Sequence, residues 1–116
     1  MASLPAIHIC LISPAGYVHA DALLDPAQYF AWQFRRLGAD VSMARNVIRH
    51  DAVNFIFGAH LGFPVQYLQG YCYVIVNLEQ VKNARDLLGT QYLDLLKHSI
   101  VVDYDAGNLS EYAKQA

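Results

Sequence analysis

The chain has 116 residues, of which 55% are hydrophobic and 16% charged, with a net charge of −2 at pH 7. That length holds one domain and one core, the apolar content excludes intrinsic disorder, and scattered basic residues under a slightly negative total exclude a nucleic-acid footprint. The apolar runs are strand-sized, short of the roughly 20 residues a membrane helix needs, so no membrane span is expected.

No lysine or arginine precedes Arg35, so a secretory signal with a basic amino-terminal region is not expected and the cytoplasm is the expected compartment. The two cysteines, Cys10 and Cys72, both fall in strand-like runs and are expected to be buried, reduced thiols rather than a disulfide or a metal pair.

In chain order, AIHICLI at 6–12 reads as a strand rich in β-branched residues, closed by the loop signal Ser13, Pro14, Ala15, Gly16. A helix follows, with Asp25 as the expected N-cap, Pro26 at its first position and Gln28 completing a capping box. Ala27, Phe30, Ala31, Phe34 and Leu37 share one face, Arg35 and Arg36 sit in the last turn, and Gly38 stops the helix. Tyr29 and Trp32 lie on the flank and are expected to pack rather than to stack on a ligand.

DVSMA at 40–44 and AVNFIF at 52–57 read as the second and third strands. About seven residues separate them, fewer than the dozen or so of an ordinary parallel crossover, so either one helical turn suffices or one strand runs antiparallel. A loop over 58–70 leads to a fourth strand at 72–76. Leu88, Tyr92, Leu95 and Leu96 mark a second amphipathic helix over 87–97, residues 99–102 a fifth strand, and the residues from 107 onward another helix.

This order predicts an α/β fold: a single Rossmann-like domain over 1–116 with a mostly parallel five-stranded sheet and helices on both faces. Ligands of such sheets sit outside the carboxyl ends of the strands. Here every strand end carries polar or glycine-containing chemistry: Ser13 and Gly16 after the first, Arg45 and Asn46 after the second, Gly58, Ala59 and His60 after the third, Asn77, Glu79 and Gln80 after the fourth, Asp103 and Tyr104 after the fifth. Helix capping and turn formation would account for several of these singly, but Glu79 is a poor cap. His60 follows two small residues that admit a ligand or another backbone. His8, inside a strand, is expected to have a core role. Dinucleotide, Walker, zinc and nucleophile-elbow signatures are all missing, and the single-glycine loop after the first strand is a weak phosphate cradle.

Taken in order, NFIFGAH (54–60), VIVNLEQ (74–80), YLDLLK (92–97) and VVDYDAGNL (101–109) resemble the amino-terminal part of bacterial glycosyltransferase-like proteins. That group has a Gly-Ala-His turn, an Asn-Leu-Glu-Gln strand end and an Asp-Tyr-Ser segment; this chain has Asp105 in place of the serine. The resemblance covers the second half of the chain by motif and the first half by pattern only.

It implies the amino-terminal domain of a two-domain transferase of the GT-B type, acting on a nucleotide-sugar donor without a bound metal or other cofactor. Gly58, Ala59, His60, Asn77, Glu79, Gln80, Asp103 and Tyr104 would then line the acceptor side, facing a carbohydrate or other acceptor. His60 or Glu79 would serve as the base, with His60 favoured because a free imidazole titrates nearer neutrality. The donor half is not visible, so the isolated chain is expected to be inactive until a donor-binding domain or partner subunit completes it. Its apolar content fits a severed or partnered domain and equally a homo-oligomer. The competing reading is a non-catalytic α/β module for binding a small molecule or for assembly.

Overall fold

The computed structural model describes residues 4–13, 22–61, 69–78, 95–96 and 98–103. Five strands form one sheet: β1 (Ile7–Leu11), β2 (Val41–Arg45), β3 (Val53–Phe57), β4 (Tyr73–Asn77) and β5 (Val101–Asp103). Their order is β2-β1-β3-β4-β5, and every neighbouring pair is parallel. The expected Rossmann-like α/β fold is therefore present, and the open question about β2 and β3 resolves to parallel for both.

Alternation along the strands sorts the side chains into two layers. Ile7, Ile9, Leu11, Phe57 and Val76 face the helix α1 (Leu24–Arg36), where they meet Ala27 and Ala31. Small residues on the helix bring its axis close to the sheet, and aromatic rings fill the sides. Phe30 meets Phe57 edge-on at 5.2 Å, and Phe34 lies 4.8 Å from Phe55. Such pairs contribute roughly 0.5–1.5 kcal/mol each beyond the area they bury.

The opposite layer is built from Cys10, Ile12, Ile56, Ala59 and Ile75, covered by Leu95 and Leu96, both in helical backbone, and by Ile48. The remaining length of the expected second helix and the expected helix from 107 onward lie outside the described residues.

Three expectations fail in detail. α1 begins at Leu24, with Leu23 as its cap residue. Asp25 is therefore not the N-cap but sits in the first turn, where its carboxylate still complements the helix dipole. A 3-10 turn at Ala22 and Leu23 already holds the backbone near helical angles, and Pro26 is tolerated because first-turn amides have no intrahelical acceptor. Leu37 is 69% exposed, since the helix ends at Arg36 and the next residue turns away from the sheet. Cys72 is exposed because it lies one residue before β4 begins.

The link from β2 to β3 explains the rest of this layer. Residues 46–52 must return along a five-residue strand and step across β1, a path of about 20 Å by strand rise and spacing. Seven residues as a helix rise only about 10 Å, whereas extended chain covers about 3.3–3.6 Å per residue. The link is accordingly a strap without helical turns, and its backbone polar groups need partners from elsewhere.

Those partners come from a polar row across the sheet, in which Ser42, His8 and Asn54 stand side by side in register on β2, β1 and β3; the next residue in the row, Tyr73 on β4, turns its hydroxyl to Ser99 Oγ instead (3.1 Å). Asn54, fully buried, accepts from the Arg49 amide (2.8 Å) and donates to the carbonyls of Arg49 (2.8 Å) and Cys72 (3.0 Å). His8 meets the Val47 carbonyl through Nε2 (2.8 Å) and Ser42 Oγ through Nδ1 (2.7 Å). A carbonyl can only accept, so Nε2 carries a proton. Arg49 also donates to Ser42 Oγ and forms a two-pronged pair with Asp51. That hydrogen-bonded guanidinium holds the Asp51 carboxyl below the usual carboxylate range. His50 stacks on Tyr71 at 3.8 Å, tying the strap to the approach to β4. His8 thus has the core role expected of it, with a specific task.

Candidate functional site

Leu11, Phe57, Val76 and Val102 are register partners in a row across the sheet. The residues just beyond them consequently emerge level along one edge. Four adjacent strand ends span about 15 Å, the width of a small-molecule crevice rather than of a protein interface. In the order β2-β1-β3-β4-β5 the chain turns outward in opposite directions from β1 and β3, and the two crossovers flanking β1 lie on opposite faces, α1 on one and the strap on the other. The gap between β1 and β3 is the topological switch point, where ligands of open α/β sheets bind.

Ser13 follows β1, one of the two strands that flank that point, and is held from the β2 side. Its amide donates to Asn46 Oδ1 (2.7 Å) and its carbonyl accepts from Asn46 Nδ2 (2.8 Å), so one side chain closes both backbone groups. Asn46 can do this because its backbone is left-handed, φ 59°, a conformation asparagine tolerates better than most residues. The Asn46 amide also donates to the Leu11 carbonyl (3.0 Å). Arg45 reaches toward Ser13 Oγ at 3.5 Å, which puts an exposed guanidinium beside the end of β1, on its β2 side. Arg45 and Asn46 are thus the polar end of β2 that the sequence marks, with Arg45 the last residue of the strand and Asn46 the first beyond it.

On the β3 side, Gly58 has φ 85° and a side chain there would press on Leu23 Cδ1 at 3.0 Å and the Ile12 carbonyl at 3.3 Å. Glycine is required at this corner because protein already fills the space around it. Ala59 is buried in the core. His60 follows on a single 3-10 turn (Ala59–Leu61), half-buried, the turn closed by the Leu61 amide donating to the Gly58 carbonyl (2.9 Å).

Further along the edge, Asn77 is fully buried and its Nδ2 donates to Asp103 Oδ2 at 2.9 Å. The amide at the end of β4 therefore fixes the carboxylate at the end of β5. Asp103 is the more accessible of the two, half-buried, so it is the group able to meet a ligand while Asn77 positions it. Gly16, Glu79, Gln80 and Tyr104 lie outside the described residues.

Comparison with protein-family models, curated proteins and solved structures finds no match for this chain. Its chemistry is consequently read from the edge itself. Among the described residues no group of three histidine, cysteine, aspartate or glutamate side chains is placed to hold a metal ion, and no helix is long and apolar enough to cross a membrane. Among the described residues the edge carries a carboxylate held by a buried amide (Asp103 on Asn77), an imidazole (His60), a guanidinium beside a hydroxyl (Arg45 and Ser13), and backbone groups at a left-handed corner. Such a set can hold a neutral polyol through the carboxylate and orient an anion through the guanidinium.

The buried thiol belongs to the fold instead. Cys10 lies in the core under the strap, and burial pushes its pKa up to about 11 against the smaller opposing effect of hydrogen bonds from the Val47 and Asn46 backbone. A thiol so far from ionisation at neutral pH is a poor nucleophile.

Proposed function

We propose that the carboxyl edge of this sheet binds a hydroxyl-bearing acceptor and that the chain is the acceptor-side domain of a glycosyltransferase using a nucleotide-sugar donor. What supports the reading is that Ser13 follows β1 and His60 follows β3, the two strands that flank the switch point, on the edge that also carries Asp103 on its Asn77 support. The Gly-Ala-His turn and the Asn77 strand end are also the motifs by which the sequence resembles glycosyltransferase-like proteins.

In this reading the carboxylate of Asp103 accepts hydrogen bonds from acceptor hydroxyls. The base, His60 or Glu79, takes the proton of the attacking hydroxyl. The acceptor oxygen bonds to the anomeric carbon as the bond to the diphosphate breaks, and the leaving group keeps that electron pair. Arg45 supplies a cation on the same edge for the developing negative charge. The remaining donor contacts come from a further domain or subunit.

A second reading is favoured by how fully the fold itself uses Ala59, Gly58 and Asn77: a binding or assembly module in which these residues only stabilise strand ends. Amide chemical-shift mapping of the chain against mono- and disaccharides, then uridine and guanosine diphosphates, separates ligand binding from its absence. Saturable shifts at Ser13, Gly58, His60 and Asp103 are expected with a sugar, and shifts confined to Arg49, Asp51 and Cys72 at the opposite edge would refute the site. In the longest natural form, His60→Ala and Glu79→Ala each leaving glycosyl transfer undiminished would remove the catalytic assignment and leave the binding module.

A further inference from the structure

The outward face of α1 is not the packing flank expected of it. Asp25, Tyr29, Trp32 and Arg36 are all exposed, with Tyr29 at 58% and Trp32 at 53%. At 100° per residue they form one stripe diametrically opposite Ala27, Ala31 and Phe34. Their spacing of four, three and four residues is that of a straight helix–helix seam.

The stripe is also ordered. Tyr29 and Trp32 sit with ring centroids 6.3 Å apart, Arg36 lies over the indole at 4.8 Å, and Gln33 donates to the Tyr29 hydroxyl at 2.8 Å. Side chains already held in this way lose less rotamer entropy on association, and tryptophan, tyrosine and arginine are the residues that most often dominate binding energy at interfaces.

We propose that this stripe is a self-association surface whose occupant is the same helix of a second copy, packed antiparallel about a two-fold axis. The register follows from the residues. With the axis opposite the midpoint between Phe30 and Ala31, Tyr29 faces the partner's Trp32 and Asp25 faces the partner's Arg36, and each contact occurs twice. The acid in the first turn and the base in the last turn are thus complementary only when the two helices run in opposite directions; a parallel pairing sets like charges against each other. A 13-residue helix is about 20 Å long, so the seam by itself is smaller than the interface of a permanent dimer, and the association is in the micromolar range or weaker, on the order of 1 μM at its tightest.

Sedimentation of the 116-residue chain over a concentration series tests this. The mass should rise from 13.0 kDa toward twice that value, and Trp32→Ala should weaken association at least about tenfold, as loss of a hot-spot side chain does. Asp25→Arg and Arg36→Asp should each remain monomeric at concentrations where the parent dimerises. An equimolar mixture of the two variants should associate again, because each then presents the charge the other lacks. Circular dichroism of every variant confirms that the helix is intact. A mass that stays at 13.0 kDa at all concentrations, a dimer indifferent to Trp32→Ala and Asp25→Arg, or a mixture that fails to re-associate would each overturn the proposal.

Discussion

Replacing Asn54 by alanine should uncouple the strap from the sheet. Its side chain makes three well-formed bonds, one accepted from the Arg49 amide and two donated to the Arg49 and Cys72 carbonyls, and a longer one to Ala52 at 3.3 Å. A net contribution of about 0.5–1.5 kcal/mol per bond, reduced where water reaches the orphaned groups of the part-buried strap, gives a loss of about 2–4 kcal/mol. With a slope of about 1–2 kcal/mol per molar urea for a domain of this size, the unfolding midpoint should fall by at least about 1 M without a change in slope. Asn54→Asp, nearly isosteric, should do worse at neutral pH. It would turn the donating nitrogen into a second carboxylate oxygen facing the Arg49 and Cys72 carbonyls, a buried charge set against two acceptors. Urea titrations of the parent and both variants, read by circular dichroism, check the order. A midpoint unchanged in Asn54→Ala would mean that the strap is held by its apolar contacts alone and would refute the reasoning.

Other expectations follow from the same structure. At pH 8 a water-soluble thiol reagent should modify the exposed Cys72 in the folded chain and leave the buried Cys10 untouched until the protein unfolds, which mass spectrometry of the labelled peptide reads directly. Because the folded pKa of Cys10 is raised to about 11 from an ordinary value of 9.0, its contribution is fully present below pH 9 and is lost as pH rises toward 11, by about 2–3 kcal/mol at most. The parent should lose more stability than Cys10→Ala across that window, and parallel slopes would contradict the burial. Gly58→Ala, with φ 85° and a contact at 3.0 Å, should cost about 2–3 kcal/mol, whereas Gly38→Ala, with φ 92° and open space around it, should cost about 1 kcal/mol, the backbone penalty alone. Equal costs in thermal denaturation would show that the Leu23 side chain yields.

The strands and α1 were legible because their signals are local. Apolar runs of five residues and the spacing of Ala27, Ala31 and Phe34 need nothing from the rest of the chain. The direction of β3 was not, since a seven-residue crossover is below the usual length and depends on side chains far away in sequence. The clue lay in the polar residues of otherwise apolar strands: His8, Ser42 and Asn54 each interrupt a run on the same face, and together they mark where a backbone without helical bonds crosses. The outward aromatic stripe was misread because Tyr29 and Trp32 are hydrophobic by composition, while their phase relative to Ala27 and Ala31 already placed them opposite the core. At the carboxyl edge the residue types were readable, but the division of labour between Asn77 and Asp103 depends on burial, which the strand pattern does not reveal.

The two edges of the sheet use polar side chains in different ways, and the difference selects the variant that can separate binding from folding. At the amino edge, His8 and Asn54 satisfy backbone groups of the strap, so any change there is expected to register as stability. At the carboxyl edge, side chains join one strand end to the next: Asn46 closes both backbone groups of Ser13, joining β2 to β1, and Asn77 holds Asp103, joining β4 to β5. The edge is thus fixed by the fold itself, and a ligand bound there, as proposed, would meet a lower entropic cost. It also means that alanine at Asn46 or Asn77 would disturb fold and site together. Asp103→Asn differs: the amide oxygen can still accept from Asn77, so the link between β4 and β5 persists and only the charge is removed. A loss of sugar affinity in that variant at unchanged urea midpoint assigns the carboxylate to the ligand, whereas equal losses of affinity and stability assign it to the fold.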